Sequence, residues 1–397
     1  MSNKILHVLY LPRWYPNRND PMPGLFIRRH AEAASAHCRI SVVYVHADEH
    51  QKTAYELVKT SEINLFTAVV YYRGSKGNKA IGLWRFLRAN MIGINAVKKE
   101  FGRPDLTHVH VLTRLAFVAW WLKFRYGVPY LITEHWSRYI ATRNEFRGAA
   151  RKWLTRFLVG KAALVTTVTH NLADAMKQHG LNHPHYRILP NVVDTSLFVP
   201  VPDKLNSPKR IMHVSCFEDR SKNISGLLRA LKTLSARRND FECIMVGDGM
   251  DFESIRLLSE ALGLQNMVKF TGLLEGAQLA STLSSGDFLV LFSNYENLPV
   301  VIPEALACGL PVIATNVGGI AEQIHAGNGR LVEARDEDAL AASIDWMLDN
   351  LAQFNPDDLR LPIVAKNSPQ AVGNLLYNWY LWILGRHNIR ASFPDQT

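Results

Sequence analysis

The sequence has few cysteines and no long apolar segment, and both scarcities argue against whole classes of protein. Its 397 residues include four cysteines, and no two of them have C-x-x-C spacing. This argues against a disulfide framework or a zinc site and predicts reduced, buried thiols in a cytoplasmic protein. The apolar run at 115–122, LAFVAWWL, has only eight residues between Arg114 and Lys123. A membrane-spanning helix needs about 20 residues, so this run is too short to cross a bilayer.

Signatures for dinucleotides and metals are also weak. The segment Gly247-Asp248-Gly249 lacks the third glycine of G-x-G-x-x-G, which argues against a nicotinamide enzyme. Residues 336–338 have the D-x-D form, but they precede a helix pattern, where acids suit the helix dipole. His108 and His110 alternate on a predicted strand without a third ligand nearby, and we interpret them as cleft-lining or core residues. We therefore predict no metal site and no cofactor.

Positive charge is concentrated in the first half of the chain. Residues 1–200 hold 28 Lys and Arg against 12 Asp and Glu, a balance of +16. Residues 201–397 hold 17 against 23, a balance of −6. This asymmetry predicts a nucleic acid, a phosphorylated ligand or an anionic membrane surface as partner, with a basic solvated face as the alternative. No nucleic-acid-binding motif accompanies the charge, so we expect no nucleic acid.

Short apolar strands alternate with helix patterns along the chain, which indicates an α/β fold with parallel, doubly wound sheets. The first strand is predicted at 5–11, in place of a signal peptide. The proline-rich segment 189–209 predicts a domain boundary. We expect one domain at 1–195, a second at 200–374, and a C-terminal helix within 375–397 that packs back on the first domain. Two such domains would face each other across a cleft, with ligands at the carboxyl ends of the strands.

Two glutamates stand eight positions apart in the stretch SNYENLPVVIPEALACGLPVIATNVGG. Between Glu296 and Glu304, Pro299 suits the first turn of a helix, and Gly309 suits its end. Backbone amides at such a strand-to-helix turn bind phosphate. Acceptors on either side of a phosphate site suit a ligand with hydroxyls at both ends, as in a nucleotide sugar. Pro303 falls inside this helix, which must therefore kink or begin later.

This E-x7-E spacing, followed by ALACGLPVIATNVGGIAE, resembles the retaining glycosyltransferases of family 4. These enzymes have the GT-B fold of two facing Rossmann-like domains. Further matches run along most of the chain: PRWYPNRNDPMPGLFIRRHA, TEHWS, ILPNVVDTSLF, VGDG and FTGLL. The resemblance is specific because more than twenty positions around the glutamates agree in order.

The resemblance implies roles for individual residues. Glu296 would contact hydroxyls of the donor sugar, Glu304 would hold the ribose, and the turn 297–300 would hold the diphosphate. Lys222 would donate to the departing diphosphate, and His135 would reach the reacting centre from the first domain. Catalysis is therefore expected from Glu296, Lys222 and His135. Donor binding is expected from Gly24, Arg220, Leu273, Leu274, Asn297, Leu298, Pro299, Val300 and Glu304.

One position departs from the family pattern. The family usually has an arginine six positions before the lysine, where this chain has Cys216. A cysteine cannot stabilise developing negative charge as a fixed cation does. Arg220 lies in the same loop, and whether it replaces the missing arginine stays open.

The resemblance implies retaining transfer of a sugar from a nucleoside diphosphate sugar to a glycan or lipid-linked acceptor, without metal, in bacterial-type surface polysaccharide synthesis. The basic segment 146–161 predicts either docking on the inner face of an anionic membrane or a helix packed with its apolar side inward. The alternatives are a GT-B nucleotide-sugar epimerase, a sugar phosphorylase, or a non-enzyme that binds anionic surfaces or nucleic acid. The donor base and sugar, the acceptor, the linkage and the oligomeric state stay open.

Overall fold

A computed structural model of the chain describes residues 5–74, 78–112, 114–140, 145–202 and 207–386. The chain divides into two compact units. The first unit comprises Met1–Val168, Ala173–Val192 and Pro369–Thr397, and the second comprises Thr169–Leu172 and Val193–Ser368. Among the described residues, no helix has both the length and the apolar character that crossing a membrane requires.

Within the described part of the chain, fourteen α-helices and β-strands lie wholly or mainly in the first unit. They are β1 (His7–Pro12), α1 (Leu25–Ser35), β2 (Arg39–Asp48), β3 (Tyr55–Glu62), β4 (Leu65–Arg73), α2 (Lys79–Phe101), β5 (Leu106–His110), α3 (Arg114–Tyr126), β6 (Tyr130–Glu134), α4 (Ala149–Lys161), β7 (Leu164–Thr167), α5 (His170–Gln178), β8 (Tyr186–Ile188) and, after the second unit, α13 (Pro369–Ile383).

The first unit is built on an eight-stranded sheet in the order β3-β4-β2-β1-β5-β6-β7-β8. All neighbouring strands are parallel except β3, which runs antiparallel to β4. Every residue of β1, β5, β6 and β7 is buried. Strands covered on both faces need side chains that are apolar or hydrogen-bonded inside the protein, and here His108 on β5 and Thr133 on β6 bond to each other among apolar neighbours.

The C-terminal helix α13 belongs to the first unit, as the GT-B resemblance implies. Its residues Leu376, Trp379 and Tyr380 lie in the core of that unit. The Tyr380 hydroxyl lies 2.6 Å from the Tyr10 hydroxyl on β1, in a buried hydrogen bond between residues 370 positions apart. The predicted segment 375–397 extends past this helix, and its residues 387–397 lie outside the described ranges.

The second unit contains the other elements. They are β9 (Lys209–Val214), α6 (Asp219–Lys222), α7 (Ile224–Ser235), β10 (Phe241–Val246), α8 (Phe252–Ala261), β11 (Val268–Gly272), α9 (Gly276–Ser284), β12 (Phe288–Leu291), α10 (Val301–Ala307), β13 (Val312–Thr315), β14 (Gly329–Val332), α11 (Glu337–Asn350) and α12 (Pro356–Asn367).

The second sheet has six parallel strands in the order β11-β10-β9-β12-β13-β14. This is the doubly wound Rossmann order, in which the direction of winding reverses between the first strand and the fourth. Here the reversal falls between β9 and β12. Loops leave the carboxyl ends of these two strands in opposite directions and open a crevice, which is where ligands bind in such sheets.

The structure corrects two features of the predicted elements. The predicted elements did not include the β3–β4 hairpin. β3 is mostly exposed, so burial imposes no pattern on it. β4 is a largely buried apolar run of strand length, and the prediction missed it. The helix after Glu296 begins at Val301 and not at Pro299. Pro303 therefore lies in the first turn, where its missing N–H has no intrahelical partner to lose. The later start of the helix removes the conflict with Pro303.

Candidate functional site

The point where winding reverses in the second sheet brings two predicted catalytic side chains together. The loop after β9 leads into the short helix α6, which ends at Lys222, and the loop after β12 carries Glu296. Lys222 Nζ donates to Glu296 Oε1 in a short ion pair. The two residues are 74 positions apart, so this contact depends on the strand order.

The ion pair is largely shielded from water. The Lys222 side chain is 16% exposed and the Glu296 side chain 10%. Burial by itself lowers the pKa of Lys222, but the Glu296 carboxylate raises it more, and the net pKa lies above the ordinary lysine value. Lys222 is therefore a fixed cation at neutral pH, held so by Glu296.

Polar residues around the pair fix the two loops to each other. Ser293 Oγ donates to Glu296 Oε1 at 2.9 Å. The backbone N–H of Asn294 donates to the Ser221 carbonyl at 2.8 Å, and its side-chain amide donates to the Arg220 carbonyl at 3.0 Å. These bonds hold the backbone beside Lys222 against the loop that carries Glu296. The sequence motif did not single out Asn294 for this role.

Two glycines allow neighbouring backbone to pack closely against the same loops. Gly318 has φ of 58°, and a Cβ there would lie 1.9 Å from the Glu296 carbonyl oxygen. Gly247 has φ of 136°, and a Cβ there would lie 1.9 Å from the Ser215 carbonyl oxygen. Only glycine permits both this backbone conformation and this close approach. The segment that resembled a dinucleotide motif thus supports the loop that leads to Lys222.

Glu304 lies in the first turn of α10, closer to the helix start than the sequence suggested. Its side chain is 5% exposed. The turn formed by Asn297, Leu298, Pro299 and Val300 is half-buried and joins Glu296 to the helix. Gly309 ends the helix with φ of 72°, as its place in the sequence predicted.

The remaining predicted donor-binding residues of this unit are more exposed. The Arg220 side chain is exposed, and no hydrogen bond or ion pair joins its guanidinium to the residues that the structure describes. Cys216 is exposed in the same loop. Leu273 is 51% exposed and Leu274 half-buried, directly after β11. Donor contacts of all these residues stay predictions.

In the first unit, Gly24 precedes α1 with φ of 76°. A Cβ at this position would lie 2.2 Å from the Trp14 carbonyl oxygen. The close approach of these two loop segments therefore requires glycine, independently of any ligand. Its contact with the donor stays a prediction.

His135 follows β6 and lies among buried aromatic rings. Its Nε2 is 3.2 Å from Nδ1 of His110 at the end of β5, and the Phe26 ring centroid is 4.7 Å from its own. Burial, reinforced by the charges that His30 and His108 would carry, holds the pKa of His135 well below its ordinary value. His135 is therefore a neutral imidazole that can donate or accept a proton or a hydrogen bond. His108 and His110 are fully buried, in agreement with their interpretation as core residues.

Glu134, next to His135 in the motif TEHWS, is a second candidate functional residue. The family resemblance implied a role for His135 but none for Glu134. The Glu134 carboxylate is fully buried and accepts backbone N–H bonds from Leu112 (3.0 Å), His135 (2.9 Å) and Trp136 (2.8 Å). Burial raises its pKa, although Arg138 and these three amides oppose that rise. Glu134 thus ties the loop of His135 to the loop after β5.

The backbone beside these loops is strained. Val111 has φ of 73° directly after His110. A β-branched residue rarely adopts a positive φ, and such strain persists mainly where the surrounding structure enforces it, often at functional sites. Both the strain and the buried carboxylate lie at the carboxyl ends of β5 and β6, where ligands bind in parallel sheets.

The acidic segment at 336–338 serves as a helix start. Asp336 accepts from the Ala339 N–H at 2.9 Å and caps α11, as predicted. Within the described residues, no three His, Cys, Asp or Glu side chains are grouped so as to hold a metal ion. Metal-independent activity stays a prediction.

Comparison with known proteins gives one family model for each half of the chain. Residues 23–192 match the model described as glycosyl transferase 4-like domain, and residues 200–356 match glycosyl transferases group 1. Together the two matched ranges cover most of the chain. The second includes Lys222, Glu296 and Glu304, and the first includes His135.

Two curated relatives and one solved structure illustrate the similarity. N-acetyl-alpha-D-glucosaminyl L-malate synthase of Bacillus anthracis is 27% identical over 60% of this chain and 63% of that enzyme. Phosphatidyl-myo-inositol mannosyltransferase of Mycobacterium leprae (strain TN) is 28% identical over 63% of this chain and 65% of that enzyme. The chain thus matches just under two thirds of each. The Anabaena protein Alr3699/HepE, solved in complex with UDP, has a TM-score of 0.72 and 18% identity over 94% of this chain and 99% of that one, which shows the shared fold.

Proposed function

The chain belongs to the family 4 glycosyltransferases and has the GT-B fold, and on this basis we propose that it moves a sugar, with retention of configuration, from a nucleoside diphosphate sugar to a glycan or lipid-linked acceptor. The observation that carries the proposal is the Lys222–Glu296 pair in the crevice where the winding of the second sheet reverses. A fixed cation and a carboxylate, which we propose accepts hydrogen bonds from sugar hydroxyls, meet there. These are the two groups that the diphosphate and the sugar of such a donor require.

Lys222 has the main chemical task in this proposal. Breaking the bond between sugar and diphosphate builds negative charge on the leaving phosphate. A preorganised cation in a site withdrawn from water stabilises that charge more than it stabilises the intact donor. Glu296 keeps Lys222 protonated, and the turn 297–300 adds backbone amides. His135, held neutral, is proposed to exchange hydrogen bonds with substrate hydroxyls and not to supply a fixed charge.

The acceptor is proposed to reside at a membrane surface. Helices α3 and α4 pack against each other in the first unit and together contain no Asp or Glu. Trp120, Phe124, Trp153 and Phe157 form a chain of ring contacts across them, with centroids 5.5 to 6.0 Å apart. Phe124 is 78% exposed and Trp153 is 68% exposed.

Besides Arg114 at the start of α3, six cations lie on the same two helices as these rings. They are Lys123, Arg125, Arg151, Lys152, Arg156 and Lys161. Exposed aromatic rings among cations suit the headgroup region of an anionic bilayer. The names of relatives support a lipid acceptor, since one is a phosphatidyl-myo-inositol mannosyltransferase. We propose peripheral attachment to the inner face of the membrane and a role in surface polysaccharide synthesis.

A thermal-shift panel of UDP-, GDP- and ADP-sugars, followed by a turnover assay with the best binder, tests the function. We expect one nucleotide to stabilise the protein and its sugar to be released or transferred slowly. The same assay separates the alternatives, because an epimerase converts the donor without an acceptor and a phosphorylase requires free phosphate. Turnover should persist in the presence of a chelator if the reaction needs no metal. A flat response to every nucleotide would contradict the proposal.

A further inference from the structure

Three arginines lie at the carboxyl ends of adjacent strands in the first unit. Arg13 directly follows β1, Arg114 opens α3 after β5, and Arg138 lies in the loop after β6. Hydrogen bonds join these loops. The Arg13 N–H donates to the His110 carbonyl at 3.0 Å, and Arg138 Nη2 lies 3.4 Å from the Leu112 carbonyl. We name Arg13, Arg114 and Arg138 the arginine cluster.

The positive charge of the arginine cluster is poorly balanced. No ion pair joins Arg13 or Arg114 to an acid among the residues that the structure describes, whereas Arg18 in the same unit pairs with Asp48 and Glu56. Partial burial lowers the pKa of Arg13, and the like charges of Arg138 and Arg114 lower it further. Gathering three cations, more than the Glu134 carboxylate near Arg138 can balance, disfavours the free protein, which is a common feature of anion sites.

Arg138 is the buried member of the cluster. It is 3% exposed, and its Nε has no hydrogen-bond partner. The nearby carboxylate of Glu134 is already occupied by three backbone amides. A buried donor without a partner is rare and indicates a group that a ligand can satisfy.

Aromatic rings adjoin the arginines. The Arg138 guanidinium lies 3.7 Å from the centroid of the Trp136 ring, and Trp14 meets Trp136 edge to face at 5.4 Å. Both tryptophans are half-buried, so each keeps part of its surface accessible. Arginine provides a planar fork for phosphate or carboxylate, and flat aromatic surfaces suit the apolar faces of sugars.

We propose that the arginine cluster binds one anionic group, a phosphate or a carboxylate, of the sugar acceptor. This assignment rests on the proposed transferase function, which needs an acceptor, and adds the chemistry of that acceptor. Arg13 and Arg114 supply charge and donors at the exposed side of the site. Arg138 supplies its unpartnered Nε from the buried side, and Trp14 and Trp136 contact the adjoining sugar.

The test is calorimetric titration of the full-length protein with inorganic phosphate and, separately, with acetate. Arg13 and Arg114 are exposed, so the double variant Arg13→Gln/Arg114→Gln should fold, which circular dichroism checks. We expect that variant to bind the preferred anion about ten-fold or more weakly than the wild type, as loss of charged hydrogen bonds implies. Tighter binding of phosphate than of acetate would identify a phosphate-bearing acceptor, and the reverse a carboxylate-bearing one.

Two further variants sharpen the result. Arg103→Gln removes an exposed arginine just before β5, at the amino end of the same strand that Arg114 follows, and should bind the anion like the wild type. Arg13→Lys/Arg114→Lys keeps the charges without the planar forks and should recover part of the affinity.

Two outcomes would overturn the assignment directly: no anion binding by the wild type, or unchanged binding in the glutamine double variant. A third is loss of anion binding in Lys222→Ala but not in the double variant, which would place the anion at Lys222. An equal loss of UDP affinity in the double variant would show that the cluster holds the donor diphosphate and not the acceptor. If the transferase proposal fails, the protein will not turn over any donor. The phosphate and acetate titrations contain no donor sugar, so that failure does not change their result.

Discussion

Replacing Glu296 by glutamine tests how the protein keeps its lysine charged. The change preserves the size of the side chain and removes the charge that raises the pKa of Lys222. Lys222 then stays in a site where its side chain is 16% exposed. Removing one partner of a fully buried ion pair costs about 3–5 kcal/mol, and a charged hydrogen bond contributes about 1.5–3 kcal/mol. Because some water reaches this pair, we expect Glu296→Gln to lower the free energy of unfolding by about 2–3 kcal/mol at neutral pH.

The pH dependence gives a second, sharper test. In the wild type the folded-state pKa of Lys222 is raised, so the stabilisation is complete below the ordinary lysine pKa and is lost as pH rises through the raised value. In Glu296→Gln the raising effect of Glu296 is gone, and only the smaller raising effects of Cys216 and Glu218 oppose burial, so we expect the pKa of Lys222 to fall. The folded variant then binds fewer protons than the unfolded chain, so its stability rises with pH. The difference in unfolding free energy between the two proteins should therefore narrow as pH rises above neutral. Over the same pH range, donor turnover by the variant should fall, because turnover needs charged Lys222.

Guanidinium unfolding followed by circular dichroism, near neutral pH and again at about pH 9, measures both effects. Glu337→Gln is the matched control, because it breaks an exposed pair with Arg229 in the same unit. An exposed pair contributes less than about 1 kcal/mol, and its loss should not depend on pH in this range. Equal unfolding midpoints for Glu296→Gln and the wild type, or a gap that does not narrow, would refute the role given to Glu296.

Three further predictions follow from the same structure. Lys222→Ala should lower kcat for the preferred donor by about ten-fold or more, and unchanged kinetics would remove the lysine from the mechanism. Gly318→Ala should raise the donor KM and lower Tm, because its Cβ would lie 1.9 Å from the Glu296 carbonyl oxygen, and wild-type values would contradict the need for glycine there. Trp153→Ala with Phe124→Ala should abolish co-sedimentation with vesicles rich in anionic lipid, and undiminished binding would show that α3 and α4 are not the docking surface.

Each of these changes has a control in the chain. Lys232→Ala removes a lysine from α7, in the same unit as Lys222, and should leave kcat unchanged. Gly74→Ala adds a methyl group where no atom lies within 4 Å and should leave Tm and KM unchanged. Leu361→Ala removes an apolar side chain that is 63% exposed on α12 and should leave vesicle binding unchanged.

Local patterns in the sequence were sufficient for the buried strands on which the prediction of an α/β fold rested. Strands such as His7–Pro12 are buried at every position, so their side chains must all be apolar or paired, and that requirement is visible in a few consecutive residues. The E-x7-E motif likewise placed Glu296 and Glu304 on either side of a turn. The outer strand of the hairpin at Tyr55–Arg73 escaped prediction because it is largely exposed, so burial does not impose a pattern on it. Its inner strand is largely buried and apolar, and its pattern was overlooked.

Contacts between distant segments were decided only by the tertiary structure. The pairing of Lys222 with Glu296 depends on β9 lying next to β12, and the arginine cluster depends on β1 lying between β2 and β5. The position of Glu134 beneath the loop of His135 was equally hidden in an apolar strand. The physical reason is that a residue's own burial is encoded by its near neighbours in the sequence, whereas strand order is chosen by the packing of the whole sheet and its helices.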